Sequence, residues 1–442
     1  MNEFPFPTRA VTLDERAIDE QISRESDGVA EAQFSADRGV YVCEWCAPTF
    51  VRVEFDRFAT ERSELSAEIV VRSTIPGLAQ QLYRKRLNLL ATRSVAEFAK
   101  ALDGRTKAQN LDWPALLEAA IEQAIRAHRE GDPAILLNEV LSLAPEALYA
   151  LQPLVLRDLS TFLYGRPGGA KTYIMMAIAC ALQGGRTDLL GLAPSTRLNV
   201  LVLDHEGNGA PVLADRARQI TGAEGLPITY LECRVAIWDE IDRILRVIRE
   251  RHIDFVCSDS VGMACGGLPP ESSEAALRYG AAVRRIGLGG IHIAHLTKDG
   301  VNEDYPFGSQ FWQAQARLTW LVKKRQDLTA SDFTVGLYNK KTNVGPYAAP
   351  LGYDIKFGPS GVRFQRTDVR DQPELASSLP VAYRMAHALR GGQREIGELA
   401  EEIEATADAV RVAAIRGVKA GKFVVVERDG KKWVGLRARE AS

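Results

Sequence analysis

The chain has no apolar stretch that could span a membrane. Its longest strongly apolar run, Tyr173 to Leu182, is far too short. The opening residues, MNEFPFPTRAV, lack the apolar core of a secretion signal. Cysteine is scarce, 6 in 442 residues, which excludes a disulfide scaffold and fits a reducing compartment. Net charge is small as well: 55 Lys and Arg against 57 Asp and Glu give −2, so the whole molecule is no polycation and any basic surface must be local. Neither an internal repeat nor a low-complexity tract occurs. With 46% apolar and 25% charged residues, wholesale disorder is excluded. The expectation is a soluble, cytoplasmic protein of two or three domains.

Residues 1–35 are polar and acidic and read as a loosely ordered leader. Over 36–140 the spacing predicts a small α+β domain. Three extended stretches, GVYVCEW, FVRVEF and SAEIVVRS, precede helical patterns from Leu78 to Leu102 and from Trp113 to His128. From 141 to 365 short apolar strands (TFLYG, NVLVLD, FVCSDS, GIHIAH) alternate with helices. That pattern predicts an α/β fold with a parallel sheet flanked by helices. After Arg317 the stretches LTWLVKK, DFTVGLYNKK, YDIKF and VRFQR read as added antiparallel strands. Residues 366–379 read as a linker. In 380–442, three short helices precede the hairpin FVVVERDGKKWVGL, turning at Asp429-Gly430, and this is the order of a winged helix.

The strand TFLYG runs into Gly165, Arg166, Pro167, Gly168, Gly169, Ala170, Lys171 and Thr172, then into a helix opening at Tyr173. Strand, glycine-rich turn, Lys-Thr and helix form the setting of a phosphate loop. Its backbone N–H groups point at an anion, Lys171 supplies charge to the β and γ phosphates, and the Thr172 hydroxyl is placed for Mg²⁺. The implied ligands are ATP and Mg²⁺. One departure stands out, because Ala170 occupies the position where the motif carries glycine.

The next strand ends in Asp204, His205 and Glu206. A carboxylate at the C-terminal edge of a neighbouring parallel strand can orient water for attack on the γ-phosphate; Glu206 is the better candidate and a solvated loop acid is the alternative. The third strand ends in Asp259, a Walker B pattern that supports Mg²⁺. The fourth ends in His295, either a γ-phosphate sensor or a structural hydrogen-bonder, with Lys298 close behind; His205 and His292 carry no assigned role.

In this order and spacing, GRPGGAKT, VLVLDHEG, FVCSDS, IHIAHLTK and PFGSQFWQAQARLTWLVKK resemble the RecA-like ATPases of the RepA-type hexameric helicases, often found on plasmids and phages. The resemblance covers about 140–365. It implies phosphate binding by Lys171 and Thr172, catalysis by Glu206, a Walker B Asp259 and a sensor at His295. YNKKTNVGPY also looks like the finger hairpin of DnaB-type replicative helicases, in which a subunit's basic residues reach the γ-phosphate held by its neighbour. Lys340 and Lys341 are the candidates here, Arg317 is a third, and the family's second basic position falls near Thr342; a solvated basic turn is the alternative.

The resemblance further implies a ring-shaped homo-hexamer with single-stranded DNA in its central channel, touched by the loops Gly262–Glu274 and Thr297–Trp312. The second loop carries Lys298, Gln310, Phe311 and Trp312, the two aromatics reading rather as core, and both loops carry acids. The C-terminal unit could meet duplex DNA through Arg411, Arg416 and Lys419 on a recognition helix and Arg428, Lys431 and Lys432 on a wing, or could dock protein. Cys43 and Cys46 form an isolated CxxC without the partners of a zinc site. The expected function is a replicative helicase or translocase driven by Mg-ATP. The alternatives are an ATP-switched DNA-binding or loading protein that never separates strands, and a nucleotide-binding scaffold with little turnover.

Overall fold

The computed structural model describes residues 32–437 except 47–48, 63, 107–110, 132–133, 141–143, 223–224, 297–302, 304–305, 309, 377–378 and 429. Most of the leader, together with Lys298, Asp299, Asp304 and Asp429, therefore lies outside the described residues. The chain divides into two compact units, 1–141 and 142–442. Among the described residues no helix is long and apolar enough to cross a membrane.

The first unit is an antiparallel sheet in sequential order: β1 (Gln33–Asp37), β2 (Val40–Trp45), β3 (Val51–Glu61), β4 (Glu64–Ser73) and β5 (Gln81–Asn88). Strand β1 begins inside the stretch read as leader. Helices α1 (Thr92–Thr106) and α2 (Trp113–Glu130) cover one face. In β3, Val51, Val53 and Phe55 face this core while Arg52 and Glu54 point away, the period of a half-buried strand. Helix α2 starts where the Asp112 side chain accepts from the Ala115 N–H and ends at Gly131.

The helix predicted from Leu78 to Leu102 is corrected here. Its first half is β5, hydrogen-bonded along β4, and the helix begins only at Thr92. QLYRKRLN is ambiguous in isolation, and the ladder offered by β4 decides its conformation.

In the second unit, a hairpin of β6 (Tyr149–Leu151) and β7 (Val155–Leu156) precedes a nine-stranded sheet. In chain order its strands and helices are β8 (Ser160–Gly165), α3 (Lys171–Gly184), β9 (Val200–Asp204), α4 (Ala210–Thr221), β10 (Thr229–Glu232), α5 (Ile241–Glu250), β11 (Phe255–Asp259), α6 (Ser273–Ile286), β12 (Gly289–His295), α7 (Gln310–Gln315), β13 (Leu318–Arg325), β14 (Phe333–Thr342), β15 (Leu351–Gly358) and β16 (Gly361–Thr367). The spatial order is β10-β9-β11-β12-β8-β13-β14-β15-β16, parallel as far as β13 and antiparallel beyond it.

Both faces are covered, as the unalternating apolar strands require. Val200 and Val202 of β9 join the core under α3 and α4, while Leu201 and Leu203 join the core under α5 and α6. Helix α3 is buried almost throughout; α5 turns Ile241, Ile244, Leu245 and Ile248 inward at helical spacing. This is the expected α/β architecture, a RecA-like sheet flanked by helices, with small antiparallel sheets apart from it.

Residues 366–379, predicted as a linker, include a strap against this unit. Val369, Leu375 and Leu379 are buried in the second core, and the Tyr338 hydroxyl donates to the Leu375 carbonyl at 2.6 Å. Then follow α8 (Val381–Ala388), β17 (Arg394–Glu395), α9 (Ile396–Glu402), α10 (Ala407–Lys419), β18 (Phe423–Arg428) and β19 (Lys431–Leu436), with a sheet ordered β17-β19-β18 around its own core.

Candidate nucleotide site

Strands β8, β9, β11 and β12 are parallel neighbours, so their C-terminal ends share one edge of the sheet. Direct pairings of Asp259 with Asp204 and of His295 with Gly165 bring the ends of β8, β9, β11 and β12 level. A ligand crevice at the carboxyl ends of parallel strands is the general outcome of such a sheet.

The loop from Gly165 to Ala170 leaves β8 and enters α3. At Gly165 an added Cβ would meet the Val322 carbonyl oxygen at 2.4 Å, so only glycine lets β13 lie this close. Gly168 has φ of 71° and Ala170 has φ of 66°. The glycine-to-alanine departure thus falls at a left-handed position, where a Cβ costs about 1–2 kcal/mol. The backbone nevertheless takes the loop conformation, and Ile174 N–H bonds back to the Ala170 carbonyl.

Lys171 is buried at the start of α3, and its ammonium donates to the Gly165 carbonyl at 3.2 Å and the Arg166 carbonyl at 2.9 Å. It also reaches His295 Nδ1 at 3.4 Å. An ammonium only donates, so Nδ1 is the accepting nitrogen. The proton of the neutral ring then sits on Nε2, which donates to Glu206 Oε1 at 3.3 Å. Burial pulls the Lys171 pKa down to about 8, against the charges of Asp259 and Glu206, which raise it. A bound triphosphate would supply the anionic partner that this ammonium lacks.

Glu206 accepts hydrogen bonds from His295 and, at 2.6 Å, from the Ser260 hydroxyl. With the His295 bond the larger cause, its pKa falls to about 2 in spite of partial burial, which holds the carboxylate ionised. Its backbone is fixed too, because the N–H groups of His205 and Glu206 both donate to the Asp259 carbonyl, at 2.6 and 3.1 Å. Asp204 clamps the same turn, accepting from the N–H groups of Gly207, Asn208 and Gly209 and from the Tyr230 hydroxyl at 3.0 Å.

Asp259 is buried beside Asp204 and Glu206, and burial raises its pKa to about 6 although the Thr172 hydroxyl donates to Oδ2 at 2.8 Å. A buried carboxylate so short of positive charge, next to a hydroxyl, fits a hard divalent cation such as Mg²⁺, which binds through one or two carboxylates and phosphate oxygens and keeps several waters. Among the described residues no group of three or more His, Cys, Asp and Glu could hold a metal unaided.

Tyr173 packs edge-on against Phe333 and Phe357, and the Arg216 guanidinium lies 4.7 Å from its ring centre. These two residues, with Pro211, Val212, Asp215 and Gln219, line a cavity of about 340 Å³ beside the loop. A larger cleft, about 1070 Å³, lies between α1 and α2 in the first unit and holds none of these groups.

The three finger candidates are not at this edge. The Arg317 N–H donates to the Ser160 carbonyl, Lys341 pairs with Thr319, and the Lys341 ammonium is held by the carbonyls of Gln313 and Ala314 at the end of α7. Arg317 thus lies by the start of β8, roughly 16 Å along the strand from Gly165, while Lys341, level with Phe162 through Thr319, lies roughly 10 Å along it, with Lys340 beside it. The loop aromatics separate. Trp312 is fully buried and donates to the Pro270 carbonyl at 2.6 Å, while Phe311 is 40% exposed. Phe307, at φ of 50°, is buried with its ring 6.4 Å from that of His295 and 5.7 Å from that of Trp312.

Sequence reasoning missed Ser260, Asn208 and Tyr230 as parts of this network. The only available signal was their place beside strand ends; the contacts join segments up to 54 residues apart.

Residues 128–301 match the family model described as an AAA domain. No curated protein matches the chain. The crystal structure of a KaiC-like protein from the hyperthermophilic archaeon Pyrococcus horikoshii OT3 matches over 51% of this chain and 100% of that one, at 12% identity and a TM-score of 0.36. The strand order and the glycine-rich loop are those of a RecA-like P-loop fold, and the AAA-domain match falls on this segment.

Proposed function

We propose that this protein is a motor of RecA type that hydrolyses Mg-ATP and acts on DNA as a replicative helicase or translocase of the plasmid and phage kind. The observation that carries the reading is the meeting of Lys171, Thr172, Glu206, Asp259 and His295 at one sheet edge. The triphosphate lies in the loop from Gly165 to Tyr173, with its base toward the cavity beside Tyr173. Lys171 exchanges the Gly165 and Arg166 carbonyls for phosphate oxygens. Thr172 and Asp259 would hold Mg²⁺, which when bound would supply charge neutralisation at the phosphates. Glu206, kept ionised, orients water in line with the γ-phosphate.

His295 reports the outcome. One ring nitrogen faces Lys171 and the other faces Glu206, so a change in what Lys171 holds is felt by the carboxylate. Phe307 lies between His295 and Trp312, and an added Cβ on Gly262 would meet its ring at 3.4 Å. Movement at His295 is therefore transmitted to both loops that would line a DNA channel.

Arg317 stands at the start of β8, away from its own phosphate loop, and the Lys341 ammonium is turned to the carbonyls of Gln313 and Ala314 rather than to that loop. That supports service to a neighbour's loop and hence a ring, taken here as a hexamer. The C-terminal order α8, β17, α9, α10, β18, β19 supports a winged helix, with Arg411, Arg416 and Lys419 exposed on α10 for duplex DNA. The test is ATP hydrolysis with and without single-stranded DNA, beside unwinding of a forked duplex. Stimulation together with unwinding is expected. Stimulation without unwinding would select an ATP-switched loading protein, and no response to DNA would overturn the motor.

A further inference from the structure

Two donors reach the Glu206 carboxylate, and both reach the same oxygen. Ser260 Oγ lies 2.6 Å from Oε1 and His295 Nε2 lies 3.3 Å from it. Among the described residues neither donor reaches Oε2, and the Glu206 side chain is partly exposed. The two donors are not equivalent. The His295 ring also faces Lys171, so its hold on Glu206 depends on what occupies the phosphate loop. Ser260 is 1% exposed, follows Asp259 directly, and its hydroxyl has Glu206 as its recorded partner. Its backbone is anchored on both sides: the Ser260 carbonyl accepts from Ala264 N–H and the next residue, Val261, donates to the Ile293 carbonyl at 2.8 Å.

A glutamate has three side-chain torsions to fix before one oxygen can aim at a water. A short bond from a buried, immobile hydroxyl removes much of that freedom in advance. Because a hydroxyl carries one proton, donation to Oε1 commits it. The other oxygen, Oε2, is left free of both donors.

We propose that Ser260 is a positioning residue for hydrolysis, holding one oxygen of Glu206 so that the other faces the attacking water whatever the state of His295. This rests on the reading of Glu206 as the water-orienting group. The test uses the full chain and measures ATP turnover alongside binding of a fluorescent ATP analogue, for wild type, Ser260→Ala, Ser260→Thr, Glu206→Gln and the Glu206→Gln/Ser260→Ala double variant. Ser260→Ala is expected to lower kcat about tenfold, the scale of one lost orienting hydrogen bond, with KM and analogue affinity unchanged. Ser260→Thr, which keeps the hydroxyl, is expected to recover most of that rate. In the double variant the loss of Ser260 is expected to cost nothing beyond Glu206→Gln. A merely structural role would instead lower binding, or would cost the same factor on both backgrounds, and either result overturns the proposal. Full-rate turnover by Ser260→Ala overturns the clamp alone. A wild-type chain that hydrolyses no ATP overturns the hydrolytic reading and the clamp with it.

Discussion

The two ends of the strands in the nine-stranded sheet carry different sets of charged groups. At the carboxyl edge, one ammonium, three carboxylates and an imidazole are tied together within a few residues of the ends of β8, β9, β11 and β12. At the other edge, Arg317 stands just before the start of β13, which runs toward the phosphate loop, and Lys341 stands near the end of β14, which runs away from it. The first edge holds the groups proposed to bind a triphosphate and aim a water at it. Burial first, and the neighbouring Glu206 and Asp204 charges after it, push the Asp259 pKa up to about 6. The second edge has cations and no phosphate loop. Under the proposed reading, this difference means that a single copy is an incomplete catalyst and that its cations would serve a neighbouring copy.

The sharpest way to break this comparison is to split it between chains. Arg317→Ala and Lys341→Ala are each expected to lower turnover by about 10³-fold or more, the usual worth of a cation supplied to the transferring phosphate from a neighbour. Lys171→Ala is expected to be inactive for the opposite reason, loss of the phosphate-gripping ammonium. Mixing Lys171→Ala with the Arg317→Ala chain should restore a large part of the rate, because some junctions then pair an intact loop with an intact finger. A mixture as dead as its parents places both groups in one active site and removes the trans arrangement.

A much smaller effect sharpens the same edge. Ala170→Gly relieves a left-handed alanine and should raise the melting temperature by about 2–4 °C, with nucleotide affinity equal or tighter. Loss of ATP binding in calorimetric titration would mean that the Ala170 methyl group is itself part of the pocket.

What could be read from the residues follows how local the physics is. The loop from Gly165 to Thr172, the strand-terminal Asp259 and the turn carrying Glu206 sit in short segments whose glycines, apolar runs and strand ends fix their own conformation, so the α/β architecture was legible. The β5 segment was not. Tyr83, Arg84 and Lys85 satisfy a helix pattern as well as a strand, and pairing with β4 chooses between them. The polar stretch 366–379 hides three apolar residues that only the folded sheet reveals as a strap. Within the site, Ser260 on Glu206 and Tyr230 on Asp204 depend on strands brought together by the fold, which no spacing in the chain encodes.

One measurement bears most directly on the central claim: single-turnover phosphate release from ATP in the presence of Mg²⁺, wild type against Glu206→Gln, with binding followed in parallel. The wild type should release phosphate, and the variant should bind ATP as tightly while slowing release by about 10²–10⁴-fold. Equal release by both, or loss of binding in the variant, would contradict the account of Glu206 as the group that aims water at a gripped triphosphate.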